Sequence, residues 1–124
     1  MIVEVCASSL ISIKNAFQAG ADRIELCSAL EIGGLTPSLG LIKQSLEDNF
    51  LPIHCLIRPR GGHFFYSASE IKIIEQNIEN AIALGCHGIV IGMHNKDFEL
   101  DFSLLKRFKS CLLYTSPSPR DSWA

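Results

Sequence analysis

Ala19-Gly20-Ala21-Asp22-Arg23-Ile24-Glu25-Leu26-Cys27 decides how this chain folds. Gly20 ends a helix whose apolar positions Leu10, Ile13 and Phe17 follow helical spacing from a cap at Ser8 or Ser9, and residues 23–27 then read as a strand. The same transition recurs at Leu84-Gly85-Cys86-His87, between a helix carrying Ile71, Ile74, Ile78 and Ile82 and a strand over residues 88–93. Around these two joints the rest falls into place. Residues 2–6 form the first strand. Thr36-Pro37, a cap followed by proline at the first helical position, opens a helix with Leu39, Ile42 and Leu46 on one face that stops near Asn49. Pro52 starts a third strand over residues 53–57, and Ser67 with Glu70 forms a capping box for the long helix. A fourth helix begins near Asp101 with Leu104, Leu105 and Phe108 as its stripe.

Four strand–helix alternations predict an α/β fold with parallel strands and right-handed crossovers. Helices on every connection suit a doubly wound sheet or a (β/α)8 TIM barrel; a complete barrel takes about 250 residues, so four βα units are the N-terminal half of one. Four units alone leave two open sheet edges, which predicts poor solubility or a homo-oligomer that pairs them.

Two of the strands carry an unusual pattern. Val3-Glu4-Val5-Cys6 and Ile24-Glu25-Leu26-Cys27 each alternate aliphatic residues with an acid and a thiol, so each strand sends a carboxylate and a thiol to one face. A strand buried on both faces is normally a continuous aliphatic run. Matched Glu and Cys positions therefore suggest two neighbouring strands that line a site.

With 48% hydrophobic and 19% charged residues, the chain of 124 residues reads as one soluble globular domain or part of a larger one. Its formal charge of -2 argues against a nucleic-acid or acidic-membrane surface, and no apolar run reaches the length of a membrane span. The N-terminus enters a strand without a signal-peptide pattern, which gives a cytoplasmic expectation. Cys6, Cys27, Cys55, Cys86 and Cys111 lack zinc-finger or disulfide-domain spacing and fit reduced thiols.

The tail departs from this pattern. After Cys111, two Ser-Pro steps forbid a regular helix and nothing alternates like a strand. The expected division is a domain over residues 1–111 and a disordered or non-native tail over 112–124, in which residues 113–122 look like translated adaptor or vector sequence.

Four motifs carry a family resemblance. They are Glu4-Val5-Cys6; Ala19-Gly20-Ala21-Asp22-Arg23-Ile24-Glu25-Leu26-Cys27-Ser28; Gly33-Gly34-Leu35-Thr36-Pro37-Ser38; and Ile57-Arg58-Pro59-Arg60-Gly61-Gly62 with Phe64 and Tyr66. In order and spacing they resemble the CutC copper homeostasis family, over residues 1–111 and thus the N-terminal half of a (β/α)8 barrel. Cys55 stands where that family usually has a larger apolar residue. The resemblance implies copper as the bound ion.

Ligand sites of such barrels gather at the C-terminal ends of the strands, where Cys6 and Cys27 lie. Adjacent strands are about 4.8 Å apart, comparable to two metal–sulfur bonds of about 2.3 Å, and soft thiolates favour Cu(I). Barrel stagger sets whether the sulfurs meet. The competing reading of each thiol is a small core hydrophobe.

Glu4, Glu25, Arg58 and Arg60 form a second constellation. It reads either as an internal salt-bridge network or as an anion-binding or acid/base site, with arginine recognising carboxylate or phosphate and a glutamate as base. His54, His63, His87 and His94 lack paired metal spacing and read as packed or surface residues, and Met93 as core filling. Two functions follow. One is a copper homeostasis protein that binds Cu(I) through Cys6 and Cys27, buffering or routing the ion in the cytosol. The other is a TIM-barrel enzyme of unknown substrate that uses the Glu/Arg cluster.

Overall fold

A computed structural model describes residues 1–114, and the side chains of residues 1–112. Strands β1 (Glu4–Ala7), β2 (Arg23–Leu26), β3 (Ile53–Leu56) and β4 (Gly88–Val90) alternate with helices α1 (Leu10–Gln18), α2 (Leu39–Asp48), α3 (Ala68–Leu84) and α4 (Phe102–Tyr114). The strands form one sheet in the order β1-β2-β3-β4, every pair parallel. This is the arrangement of half a (β/α)8 barrel. Among the described residues, β1 and β4 are each paired on one side only.

One face of the sheet is packed under the helices. Ile24, Leu26, Ile53, Cys55 and Ile57 are buried there against Ile13 and Ala16 of α1, Ile42 of α2, Ile74, Ile78, Ala81 and Ile82 of α3, and Leu104 and Phe108 of α4. The expected stripes of α3 and α4 hold. Those of α1 and α2 are narrower than their spacing suggests. Leu10, Phe17 and Leu39 are exposed, while the small side chains of Ala16 and Ser45 are buried. Short helices lying close on a sheet bring small residues to the contact, and larger neighbours lean outward.

The caps mostly follow the sequence. Ser9 caps α1, and Ser67 and Glu70 complete the capping box of α3. Gly85, at φ 99°, and Asn49, at φ 53°, end α3 and α2 in the left-handed region. The cap of α2 is corrected. Ser38, not Thr36, accepts the hydrogen bond of Leu41 N–H, and Pro37 lies ahead of the helix. Thr36 is committed elsewhere, to the end of β3. At the other end of the chain α4 begins after Asp101, whose carboxylate accepts from Leu104 N–H, and runs past residue 111 to Tyr114. The expected tail from residue 115 onward lies outside the described residues. No helix among the described residues is long and apolar enough to cross a membrane.

Candidate functional site

The register of β1 on β2 sets the geometry of the thiol face. Glu4 stands opposite Arg23, Cys6 opposite Glu25, and Ala7 opposite Leu26. The two Glu-x-Cys segments are therefore offset by one pleat, and Cys27 lies diagonally beyond Cys6 instead of across from it. Parity still puts Glu4, Cys6, Glu25 and Cys27 on one face, turned away from the helices. Val5 and Ala7 take the helix-packed face instead. Opposite Glu25 on β3 stands His54, whose half-buried ring packs on Gly88 of β4.

The two thiols differ in environment. Cys6 is exposed, and its Sγ donates to Glu25 Oε2 at 3.6 Å. Burial, then the Glu25 carboxylate, raise its pKa above the ordinary thiol value. Cys27 is fully buried without joining the helix-side core, and its Sγ donates to Ala7 O at 3.7 Å. Burial, followed by the charges of Cys6 and Glu25, pushes Cys27 up to about 11. The charge of Cys6 thus reaches the Cys27 thiol across the pleat.

The carboxylates and arginines do not form one network. Glu4 pairs with Arg23 at 2.7 Å, and Arg60 pairs with Glu70 at 2.6 Å. Arg60 also donates to the carbonyls of Gly61, His63 and Phe65, which ties the loop after β3 to the start of α3. Arg58 is buried, 8% exposed, and donates to the carbonyls of Ile32, Gly34 and Gly62, each at 3.0 Å, with the Phe64 ring over its guanidinium. Glu25 has no ion pair among the described residues. A single salt-bridge network joining Glu4, Glu25, Arg58 and Arg60 is thus corrected to two separate ion pairs plus one arginine bound to backbone. The physical reason is supply: Arg23 and Glu70 lie nearer their partners than the four lie to one another.

The histidines and the remaining thiols pack as their spacing suggests. His87 Nδ1 accepts from Ile53 N–H, and His94 Nε2 accepts from Phe64 N–H. Cys55, Cys86 and Met93 belong to the core, and Cys111 is half-buried with its Sγ 3.8 Å from Glu75 Oε2. Among the described residues, no group of three or more His, Cys, Asp or Glu side chains could hold a metal ion. The soft donors on the thiol face are therefore two sulfurs, a set suited to a low-coordinate soft cation and too small for tetrahedral zinc.

One part of the site was not foreseen from sequence. The loop between β2 and α2 contains a 3-10 turn, Leu30–Ile32, and folds back through a Ser28–Leu35 bridge. Thr36 Oγ1 accepts from Arg58 N–H at 2.8 Å, and Thr36 N–H donates to Arg58 O at 3.0 Å. Gly34, at φ +95°, lies directly on Cys27: a Cβ there would stand 3.5 Å from Cys27 Cβ and 2.9 Å from Leu56 Cδ2. The adjacent glycines were the available signal for this close approach.

The comparisons with known proteins agree with this architecture. The CutC family model matches residues 1–111. A CutC family protein of Vibrio atlanticus (strain LGP32) is 41% identical over 108 residues, 87% of this chain and 44% of that protein. One of Glaesserella parasuis serovar 5 (strain SH0165) is 45% identical over 103 residues, 83% of this chain and 42% of that one. The chain thus spans less than half the length of these relatives. Among solved structures, a CutC of Streptococcus agalactiae named for copper homeostasis superposes with a TM-score of 0.80 at 33% identity, covering 90% of this chain and 55% of that one. A Burkholderia cenocepacia J2315 protein named for phosphonomutase activity superposes at 0.56 with 14% identity, which shows the fold alone. With the family's model matched over nearly its whole described length, the chain belongs to the CutC family.

Proposed function

We propose that this chain carries the thiol half of a copper-handling site, in which Cys6 and Cys27 take up Cu(I) as cargo for buffering or delivery. The observation that carries the reading is the pair of cysteines on one face of adjacent parallel strands, at their C-terminal ends, close enough that the charge of one raises the pKa of the other. Two thiolates are a sufficient donor set for Cu(I), and hard cations prefer oxygen ligands. The name of the Streptococcus agalactiae relative points the same way. The enzyme reading draws less support, since Arg58 and Arg60 spend their donors on backbone carbonyls and Glu70. Handling of this ion fits a reducing cytoplasm, where the free cysteines stay available. A homo-oligomer fits two strands, β1 and β4, that each pair on one side.

The test is a Cu(I) competition titration against a chromophoric chelator. The wild-type chain should take up one Cu(I), and the double substitution Cys6→Ser with Cys27→Ser should lose it. Unchanged stoichiometry in the double variant would remove both cysteines from the assignment.

A further inference from the structure

Cys27 is the proposed ligand that no solvent reaches, and one side chain ties the loop that lies against it to the end of β3. Its exposure is 0%, whereas Cys6 on the neighbouring strand is exposed. What lies over Cys27 is Gly34, whose missing side chain would stand 3.8 Å from Sγ. Any ion arriving from the open face meets Cys6 first and Cys27 only after this loop yields. Apolar packing holds only part of the loop: Leu35 is half-buried, while Leu30 and Ile32 are 44% and 50% exposed. Three of its residues lie in the left-handed region, Ala29 at φ 50°, Gly33 at φ 92° and Gly34 at φ 95°, and alanine adopts that region at a cost.

Polar bonds hold the loop at two places: the Ser28–Leu35 backbone bridge, with Ser28 Oγ donating to Thr36 O, closes its base, and Arg58 clasps its turn. Its Nη1 donates to both Ile32 O and Gly34 O, on either side of Gly33, and its Nη2 anchors to Gly62 O in the next loop. Its backbone N–H and carbonyl bind Thr36 at the far end of the loop. Phe64 covers the guanidinium at 5.0 Å, which keeps water from competing for these carbonyls. A lysine could not reproduce this, because its ammonium is a point donor and not a planar fork.

We propose that Arg58 is a positioning residue of the thiol site: by tying Ile32 O and Gly34 O to the end of β3, it keeps the loop between β2 and α2 closed over Cys27 and sets the access of an incoming ion to that thiol. This deepens the copper reading and rests on it for the identity of the ion. The gate itself is a property of the loop. Two of the four motifs that mark the family are thereby joined by function, the Gly33-Gly34-Leu35-Thr36 stretch as cover and Arg58 as clasp.

The test reads thiols without metal. The reduced full chain is labelled with a maleimide, and the rate at each cysteine is followed by peptide mass spectrometry. In the wild type, Cys6 should label fast, and Cys27 should label slowly together with the core thiols Cys55 and Cys86. Arg58→Lys loses the planar fork by which Nη1 holds the two loop carbonyls while Nη2 anchors to Gly62 O, so Cys27 labelling should rise by about tenfold or more while Cys55 and Cys86 stay slow. General destabilisation would instead accelerate all three buried thiols together. Phe64→Ala serves as the second variant, since it leaves Arg58 in place and uncovers its guanidinium; it should give a smaller rise confined to Cys27. If neither variant raises Cys27 selectively over Cys55 and Cys86, the proposal is overturned. Cu(I) stoichiometry is read separately on the same variants. Selective labelling with no copper uptake by the wild type would leave the gate standing and remove the ion.

Discussion

Cys6 faces Glu25 across the β1–β2 pair, with its Sγ 3.6 Å from Glu25 Oε2. The one-pleat offset behind this contact gives the exposed thiol a carboxylate neighbour. Burial and then the Glu25 charge raise the Cys6 pKa, with Glu4 adding a smaller contribution. Removing the nearer charge should reverse part of the rise. Glu25→Gln is therefore expected to lower the Cys6 pKa, read from the pH dependence of its alkylation rate. An unmoved titration would assign the rise to burial and Glu4, without Glu25.

The same raised pKa values predict how copper uptake depends on pH. Both thiols are protonated at neutral pH, since Cys27 is pushed up to about 11 and Cys6 also lies above its ordinary value. Binding one Cu(I) as a bis-thiolate then releases two protons, so apparent affinity should rise by up to about 100-fold per pH unit below the thiol pKa values. Competition titrations over about pH 6 to 8 measure this slope, in the range where ordinary thiols are still protonated. A flat profile would mean that the ion is held by groups other than these two thiols.

The fold was legible because its signals are local and repeated. Gly20 and Gly85 end helices that strands follow at once, and Ser67 with Glu70 marks a helix start by its own hydrogen bonds. The site was legible only by parity. Alternation puts Glu4, Cys6, Glu25 and Cys27 on one face, but the stagger that places Cys6 against Glu25 is a property of strand pairing, which no single strand encodes. The arginines misled for a related reason. Arg58 and Arg60 are charged residues at a strand end, and their actual partners are carbonyls of two loops and a helix-capping glutamate. Thr36 has the side chain of a cap and is instead drawn onto the Arg58 backbone, contacts that exist only once β3 lies beside the loop.

The core under α3 makes a prediction that depends on burial alone. Ile78 is fully buried between α3 and the sheet, whereas Ile73 on the same helix is 47% exposed. Ile78→Ala removes packed volume that its neighbours cannot fill and should cost about 2–5 kcal/mol. Ile73→Ala should stay within about 0.5 kcal/mol of the wild type. Urea unfolding of the two variants checks the contrast. Equal losses would mean that α3 packs through a different face.

Glu70 sets an acid limit on the start of α3. Its carboxylate takes two hydrogen bonds from Arg60, at 2.6 and 3.2 Å, and one from Ser67 N–H at 2.8 Å. The Arg60 bond first, and the Ser67 backbone bond next, lower its pKa from 4.5 to about 2. A carboxyl with a depressed native pKa stabilises the fold fully above its unfolded value, so this contribution is complete above pH 4.5 and is lost as pH falls toward 2. Glu70→Gln removes the titrating charge at nearly constant shape. The gap in urea midpoint between wild type and variant should be widest above pH 4.5 and close as pH approaches 2. A gap that stays constant across this window would assign the effect of Glu70 to its shape in the capping box, and the pairing with Arg60 would carry no stability.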